Sequence, residues 1–314
     1  MRSPRTDIPL PDITARSWAM VGLLGFVWGA TFMGVEIALE GFSAFWVAAG
    51  RLVFGAALLL PVWVSRGARM GPPTPGRARW PHILAVGLTG SMMPFFLLSW
   101  GQQYVTSGFA GVTMAAVPLM VIPLAHLLFP GERMSWHRVL GFGIGFAGVW
   151  VLIGQGAMAS TGVAGEAAGR LACLGAAACY AASSILVRRC PPIDPLALAT
   201  LLICTGAGIA LPLTLALEGW PPPPPPHALA ALVVIGMIST ASANLLRVLV
   251  IRSAGPVFMN LTNYQVPLWS VLLGWLVLDE PLPPALLTAM VLILGGMAFS
   301  QQDALRRLFG AASR

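Results

Sequence analysis

Roughly ten stretches of about 20 apolar residues follow one another along this chain, and the gaps between them are short. One such stretch, wound as a helix, spans the ~30 Å hydrocarbon core of a bilayer. The stretches lie near 18–38, 43–64, 81–103, 108–129, 136–154, 170–188, 195–216, 228–250, 257–278 and 283–300. Little chain is left for a soluble domain. Only 9% of the 314 residues are charged, against about 25% in an ordinary soluble domain. The pattern predicts an all-α polytopic membrane protein with ten transmembrane helices in one compact bundle.

The arginines fix an orientation. All 18 basic residues are Arg, and only Arg51, Arg170 and Arg247 fall outside every second gap and the two tails. The gaps so marked carry Arg66, Arg69, Arg77 and Arg79, then Arg133 and Arg138, then Arg188 and Arg189, then Arg252. The tails carry Arg2, Arg5 and Arg16, and Arg306, Arg307 and Arg314. The other gaps hold Arg170 beside Glu40, Glu166, Glu218, Asp279 and Glu280. Positive loops resist translocation, so both ends are expected in the cytoplasm. The net charge of +7 then reflects topology. A nucleic-acid partner is not expected, because such readers gather charge on one face of a folded domain.

The polar arm at 1–17, with Asp7 and Asp12, precedes an apolar segment too long for the core of a cleaved leader, so that segment reads as a retained helix. Cys173, Cys179, Cys190 and Cys204 form no CxxC pair and lie in or beside apolar segments. They read as buried packing residues, and no metal or cofactor is expected.

The two halves resemble each other. Trp28, Thr31 and Phe32 match Tyr180, Ser183 and Ser184 at the same spacing, 152 residues later. Val117-Pro118-Leu119 matches Val266-Pro267-Leu268, 149 residues later. A turn follows each, Pro130-Gly131-Glu132-Arg133 and Leu278-Asp279-Glu280-Pro281. Then comes a Gly-rich helix with Gly141, Gly143, Gly145 and Gly148, or with Gly295 and Gly296. Five helices is an odd number, so the halves are expected to lie in opposite orientations, with repeats at 18–154 and 170–300, a linker at 155–169 and a tail at 301–314. Inverted repeats build alternating access around a site near the midplane.

The chain resembles the drug/metabolite transporter superfamily, in its ten-helix EamA-like branch. The resemblance rests on Trp28-Gly29-Ala30-Thr31-Phe32, on Arg51, on Gly131-Glu132-Arg133 and on the Gly-rich fifth and tenth helices. It implies two inverted five-helix repeats, cytoplasmic termini and export of small metabolites. Glu36 is a departure, since relatives often carry a basic residue there.

Residues three and four apart share a helix face. Trp28, Thr31 and Phe32 form one polar–aromatic stripe, and Tyr180, Ser183 and Ser184 a second. Asn260, Asn263, Tyr264 and Pro267 form a third, and Thr240, Asn244 and Arg247 a fourth. An amide facing lipid would be left unpaired, so these stripes are expected to face the bundle or a wet cavity. For each residue alone, interhelical hydrogen bonding is an equally good account. The candidate substrate-binding set is Trp28, Thr31, Phe32, Arg51, Tyr180, Ser183, Asn244, Asn263 and Tyr264. Arg51 lies roughly 12 Å below the outer surface. A Glu36–Arg51 pair between neighbouring helices would relieve two isolated charges; the alternative gives Arg51 a substrate carboxylate. His82, His126, His137 and His227 read as interfacial. Pro94, Pro118, Pro123 and Pro267 predict kinks, which suit a rocking carrier and static packing equally. Pro221 to Pro226 reads as a stiff spacer.

No HExxH, GxSxG elbow or buried acid pair is present, so an enzyme is not expected. Phosphorylated solutes would need several cavity cations, and Arg51 and Arg247 are the two candidates. The favoured reading is a secondary transporter exporting small zwitterionic metabolites, amino acids including aromatic ones, from a bacterial inner membrane as a monomer or weak homodimer. Efflux of drug-like cations, and a non-transporting scaffold or scramblase, stand as alternatives. With no acid at the midplane, transport is expected to be facilitated or weakly coupled. In proteoliposomes, then, an imposed pH gradient should leave accumulation of the solute near equilibrium; strong concentration that follows the gradient would refute this.

Overall fold

The computed structural model describes residues 14–71, 78–129, 135–154, 164–302 and 305–306. Among them the regular structure is helical. The helices are α1 (Ala15–Leu39), α2 (Ala44–Ser65), α3 (Trp80–Gly101), α4 (Ser107–Leu128), α5 (Trp136–Gly154), α6 (Glu166–Arg189), α7 (Pro195–Glu218), α8, α9 (Thr262–Leu278) and α10 (Pro284–Ser300). α8 runs from Pro226–Val234 through Ile235–Ser242 into Ala243–Met259. By length and composition, α1 to α8 supply eight segments able to cross a bilayer; α9 and α10 have 17 residues each. The Gly131-Glu132-Arg133 motif, and Arg77, Arg133, the first 13 residues and the last eight, lie outside the described residues.

Local sequence explains where the helices begin. Ser43 Oγ accepts from Trp46 N at 3.2 Å to start α2, and Thr106 Oγ1 accepts from Phe109 N at 3.2 Å to start α4. Asp194 Oδ1 accepts from Leu196 N and Ala197 N to start α7, with Pro195 in the first turn. Each cap satisfies N–H groups that the helix itself leaves unpaired.

Proline and hydroxyl groups explain where the helices change pitch. Pro94 has no N–H for the carbonyl of Gly90, and α3 widens to a π-helix at Leu88–Met92. Pro118 likewise removes the bond to Met114, and α4 changes segment at Ala115. Pro123 and Pro267 sit inside unbroken helical segments. α8 widens at Ile235–Ser242 without a proline. There Thr240 Oγ1 donates to Ile235 O and Ser242 Oγ to Met237 O, both 2.9 Å and both five residues back, the π-helical register.

The packing repeats between halves. α1 packs on α8 and α9, while α6 packs on α3 and α4; α2 packs on α8, while α7 packs on α3. α2 with α7, α4 with α9 and α5 with α10 complete the set. Helices therefore pair mainly across the halves. α1 and α2 touch little despite their short turn, against the expectation that they are close neighbours. Glycine permits the tightest pair: a Cβ on Gly141 would stand 2.5 Å from Gly296 O, and one on Gly148 2.9 Å from Ile293 N. These contacts bring α5 and α10 backbone to backbone.

Two boundaries differ from expectation. α6 starts at Glu166, so Arg170 is not in a gap. It is 7% exposed, pairs with Glu166 one turn away and donates to Ile153 O at 3.2 Å. α8 continues to Met259 past Gly255, whose φ of +85° breaks the helix, and Asn260 is exposed in the turn before α9. Asn260 therefore does not share a helical face with Asn263 and Tyr264.

α4 is held at both ends by the second half. Glu280 Oε1 accepts from Ser107 N at 2.7 Å and Oε2 from Gly108 N at 3.0 Å. At the other end Arg189 Nη2 donates to Leu128 O at 3.1 Å, and the Arg188 guanidinium lies 4.1 Å from the Phe129 ring centroid. An anion at the N-terminus and a cation at the C-terminus both match the helix dipole. Glu280→Ala removes two charge-assisted bonds and should cost about 1–2 kcal/mol, read as a lower thermal unfolding midpoint in detergent; an unchanged midpoint would mean that water replaces the carboxylate at no cost.

Candidate functional site

The middle of the bundle is where the aromatic and polar stripes meet. Arg51 sits in α2, 8% exposed. Its Nε donates to Thr240 Oγ1 of the widened part of α8 at 2.8 Å, and its guanidinium carbon lies 3.8 Å from the centroid of the Phe95 ring on α3. Tyr180 of α6 is its electrostatic neighbour. The π-segment makes this approach possible. Gly236 brings α8 against α2, so that a Cβ there would stand 3.1 Å from Arg51 O and 2.6 Å from Phe54 Cβ. Thr240 uses its hydroxyl twice, accepting from Arg51 and donating to Ile235 O.

The Glu36–Arg51 pair is not formed. The reason lies in the fold: α2 leaves α1 to pack on α7 and α8, which carries Arg51 to Thr240. Glu36 instead receives Gln102 Nε2 at 3.4 Å. Among the described residues Arg51 has no carboxylate partner.

Trp28 donates from Nε1 to Ser239 O at 3.3 Å, and its ring packs between the cluster around Phe32 and that around Leu24 and Phe258. Tyr180 likewise bridges two clusters, one with Phe109 and Cys173, the other with Leu52 and Phe95. These matched residues of α1 and α6 thus occupy comparable seams. Phe32 is buried beside them. Thr31 Oγ1 is spent on Val27 O at 2.9 Å within its own helix. Ser183 is buried against Gly90 in the widened part of α3, and Ser184 is exposed. Asn244 donates to Thr240 O, one turn back on its own helix. Tyr264 packs its ring on the Phe32 cluster, with its hydroxyl buried and without a hydrogen bond. Asn263 is half-buried in the first turn of α9.

The structure thus brings together Arg51, Tyr180 and Thr240, and places Trp28 beside the same stretch of α8. Thr31, Ser184 and Asn244 serve their own helices. Phe95, Ser239 and Gln102 were not among the sequence candidates. Phe95 reads as one apolar residue among many, Ser239 contributes only its carbonyl, and Gln102 reads as the polar end of a segment. None of the four cysteines forms a disulfide, and none is exposed.

The chain belongs to the EamA-like transporter family, which it matches twice, over residues 16–154 and 167–301. It is 29% identical over 135 residues to a protein of Streptantibioticus cattleyicolor named "Probable terminal-alkyne amino-acid exporter". That match covers 43% of this chain and 43% of the relative, less than half the length of either. It is 25% identical over 264 residues to the uncharacterized inner membrane transporter YedA of Escherichia coli, covering 80% of this chain and 79% of that one. A solved crystal structure shares the fold, with a TM-score of 0.63 at 22% identity over 94% of this chain and 99% of that one. The chain is thus a multi-pass membrane protein of a family named for transporters.

Thr240→Val keeps the shape of the side chain but leaves the Arg51 Nε–H without its acceptor. An unmatched buried donor costs about 1–3 kcal/mol, so the variant should unfold at a measurably lower temperature than wild type; equal midpoints would show that water reaches the guanidinium.

Proposed function

We propose that this protein is a secondary transporter that exports small zwitterionic metabolites, amino acids including aromatic ones, by alternating access between two inverted five-helix repeats. Ten helices cross the inner membrane of a bacterium, with both termini in the cytoplasm. The observation that carries the reading is Arg51: a buried guanidinium set between an aromatic ring and a hydroxyl, with no carboxylate partner among the described residues. A cation so placed is a receptor for a solute carboxylate. Trp28 and Tyr180 supply apolar walls for a side chain.

Two further features support the mechanism. The packing pattern is preserved when the halves are exchanged, and the equivalent helices α3 and α8 both widen at mid-length. π-segments often mark functional positions within helices. The Streptantibioticus relative, named as a probable terminal-alkyne amino-acid exporter, supports the solute class.

Uptake of labelled phenylalanine into proteoliposomes tests the reading. Wild type should show saturable flux, and Trp28→Ala should lose it by about tenfold or more, equivalent to ~1.4 kcal/mol, while remaining folded. Movement of cationic dyes without any amino acid would replace this reading with drug efflux.

A further inference from the structure

Several buried polar atoms of the described residues have no hydrogen-bond partner, and one of them, on Gln102, lies beside a carboxylate. Gln102 caps the end of α3 and is 2% exposed. Its Nε2 donates to Phe32 O at 2.8 Å and to Glu36 Oε2 at 3.4 Å. Its Oε1 is buried and has no hydrogen-bond donor. The amide orientation follows from its partners, since turning it would set oxygen against two oxygens.

Glu36, which is half-buried, has few partners as well. Among the described residues it forms no ion pair and accepts only from Gln102. Its electrostatic neighbours include the carboxylates of Glu280 and Glu40. Both of those are engaged elsewhere, Glu280 at the start of α4 and Glu40 by His227 Nε2 at 2.8 Å. The result is a place rich in acceptors and negative charge, to which the described protein brings one amide donor. A buried acceptor without a donor is costly, and a carboxylate in an apolar bundle more so.

We propose that Glu36 and Gln102 form a subsite for the primary ammonium group of the transported solute, a proposal that rests on the zwitterion reading above. An ammonium offers three donors, no acceptor and one positive charge, which is what Glu36 and the Gln102 carbonyl lack. A metal ion fits less well. Hard divalent cations take about six or more oxygen ligands, and no group of three His, Cys, Asp or Glu among the described residues could hold one.

The subsite continues the stripe already described. Glu36 follows Trp28 and Phe32 along one face of α1, a rise of about 12 Å from Trp28. Gln102 lies seven residues beyond Phe95 on α3, a rise of about 10 Å. The ammonium subsite is thus a separate station from Arg51, too far along the bundle for one α-amino acid to occupy both at once, so the solute meets the two in turn and amine selection there does not require the guanidinium.

The test is binding of phenylalanine, phenethylamine and hydrocinnamate to the purified full chain, by calorimetry and by ligand-induced thermal stabilisation. Glu36→Gln should weaken phenethylamine by about tenfold or more, the effect of losing a charge-assisted hydrogen bond. Hydrocinnamate, which lacks the amine, should change by less than about twofold, as for a distant and independent group, and its binding shows that the variant is folded. Gln102→Leu should act in the same direction. Arg51→Ala should do the reverse, weakening hydrocinnamate and sparing phenethylamine. Equal weakening of all ligands by Glu36→Gln, or phenethylamine binding that it leaves intact, overturns the subsite alone. Wild type that fails to bind phenylalanine overturns the zwitterion reading and the subsite with it.

Discussion

The bilayer interior offers no hydrogen bonds, and this one constraint orders the whole structure. Every N–H, carbonyl and hydroxyl within the bundle must find its partner in the chain. Thr31, Thr113, Thr200 and Ser184 return their hydroxyls to carbonyls four residues back on their own helices. Thr240 and Ser242 do so five residues back, within the widened turn of α8. The start of α4 takes a carboxylate from the far end of the chain. The constraint is left unmet at some buried atoms, Gln102 Oε1 and the Tyr264 hydroxyl among them.

That rule also explains how the halves interlock. Each half supplies helices that pack mainly on helices of the other, and the polar contacts follow. Trp28 of α1 bonds to α8, Arg51 of α2 to α8, and Glu280 after α9 to α4. Close approach is made possible by glycine at the contacts, Gly29 against Val266 O and Gly141 against Gly296 O. The central residues are thereby held by the interface between halves. Any relative movement of the halves would act on those residues directly, which is what alternating access requires.

Pitch changes in α3 and α8 place the site. A regular helix would carry Thr240 in ordinary α-helical register; the π-turn at Ile235–Ser242 instead pairs its hydroxyl with both Arg51 and a carbonyl five residues back. In α3 the same device precedes Phe95, whose ring covers the guanidinium. One of the two has a proline as its cause and the other does not, so equivalent geometry arises from different local chemistry.

The helical class, the membrane setting and the likeness of the halves were legible in the sequence. Each follows from periodic or compositional signals: apolar runs of bilayer length, short gaps and motifs recurring at fixed spacing. The caps at Ser43, Thr106 and Asp194 depend only on neighbours two or three residues away, but they were not read from the sequence. The partners of the buried charges were not legible. Short connections suggested that α1 and α2 pack together and that Glu36 meets Arg51. Packing across the halves sent Arg51 to Thr240 and left Glu36 to Gln102. Arg170, read as a gap residue, became a buried partner of Glu166. Sequence spacing determines which residues share a helix face. Which faces then meet is decided by close packing among helices of nearly equal hydrophobicity, and that is a property of the tertiary structure alone.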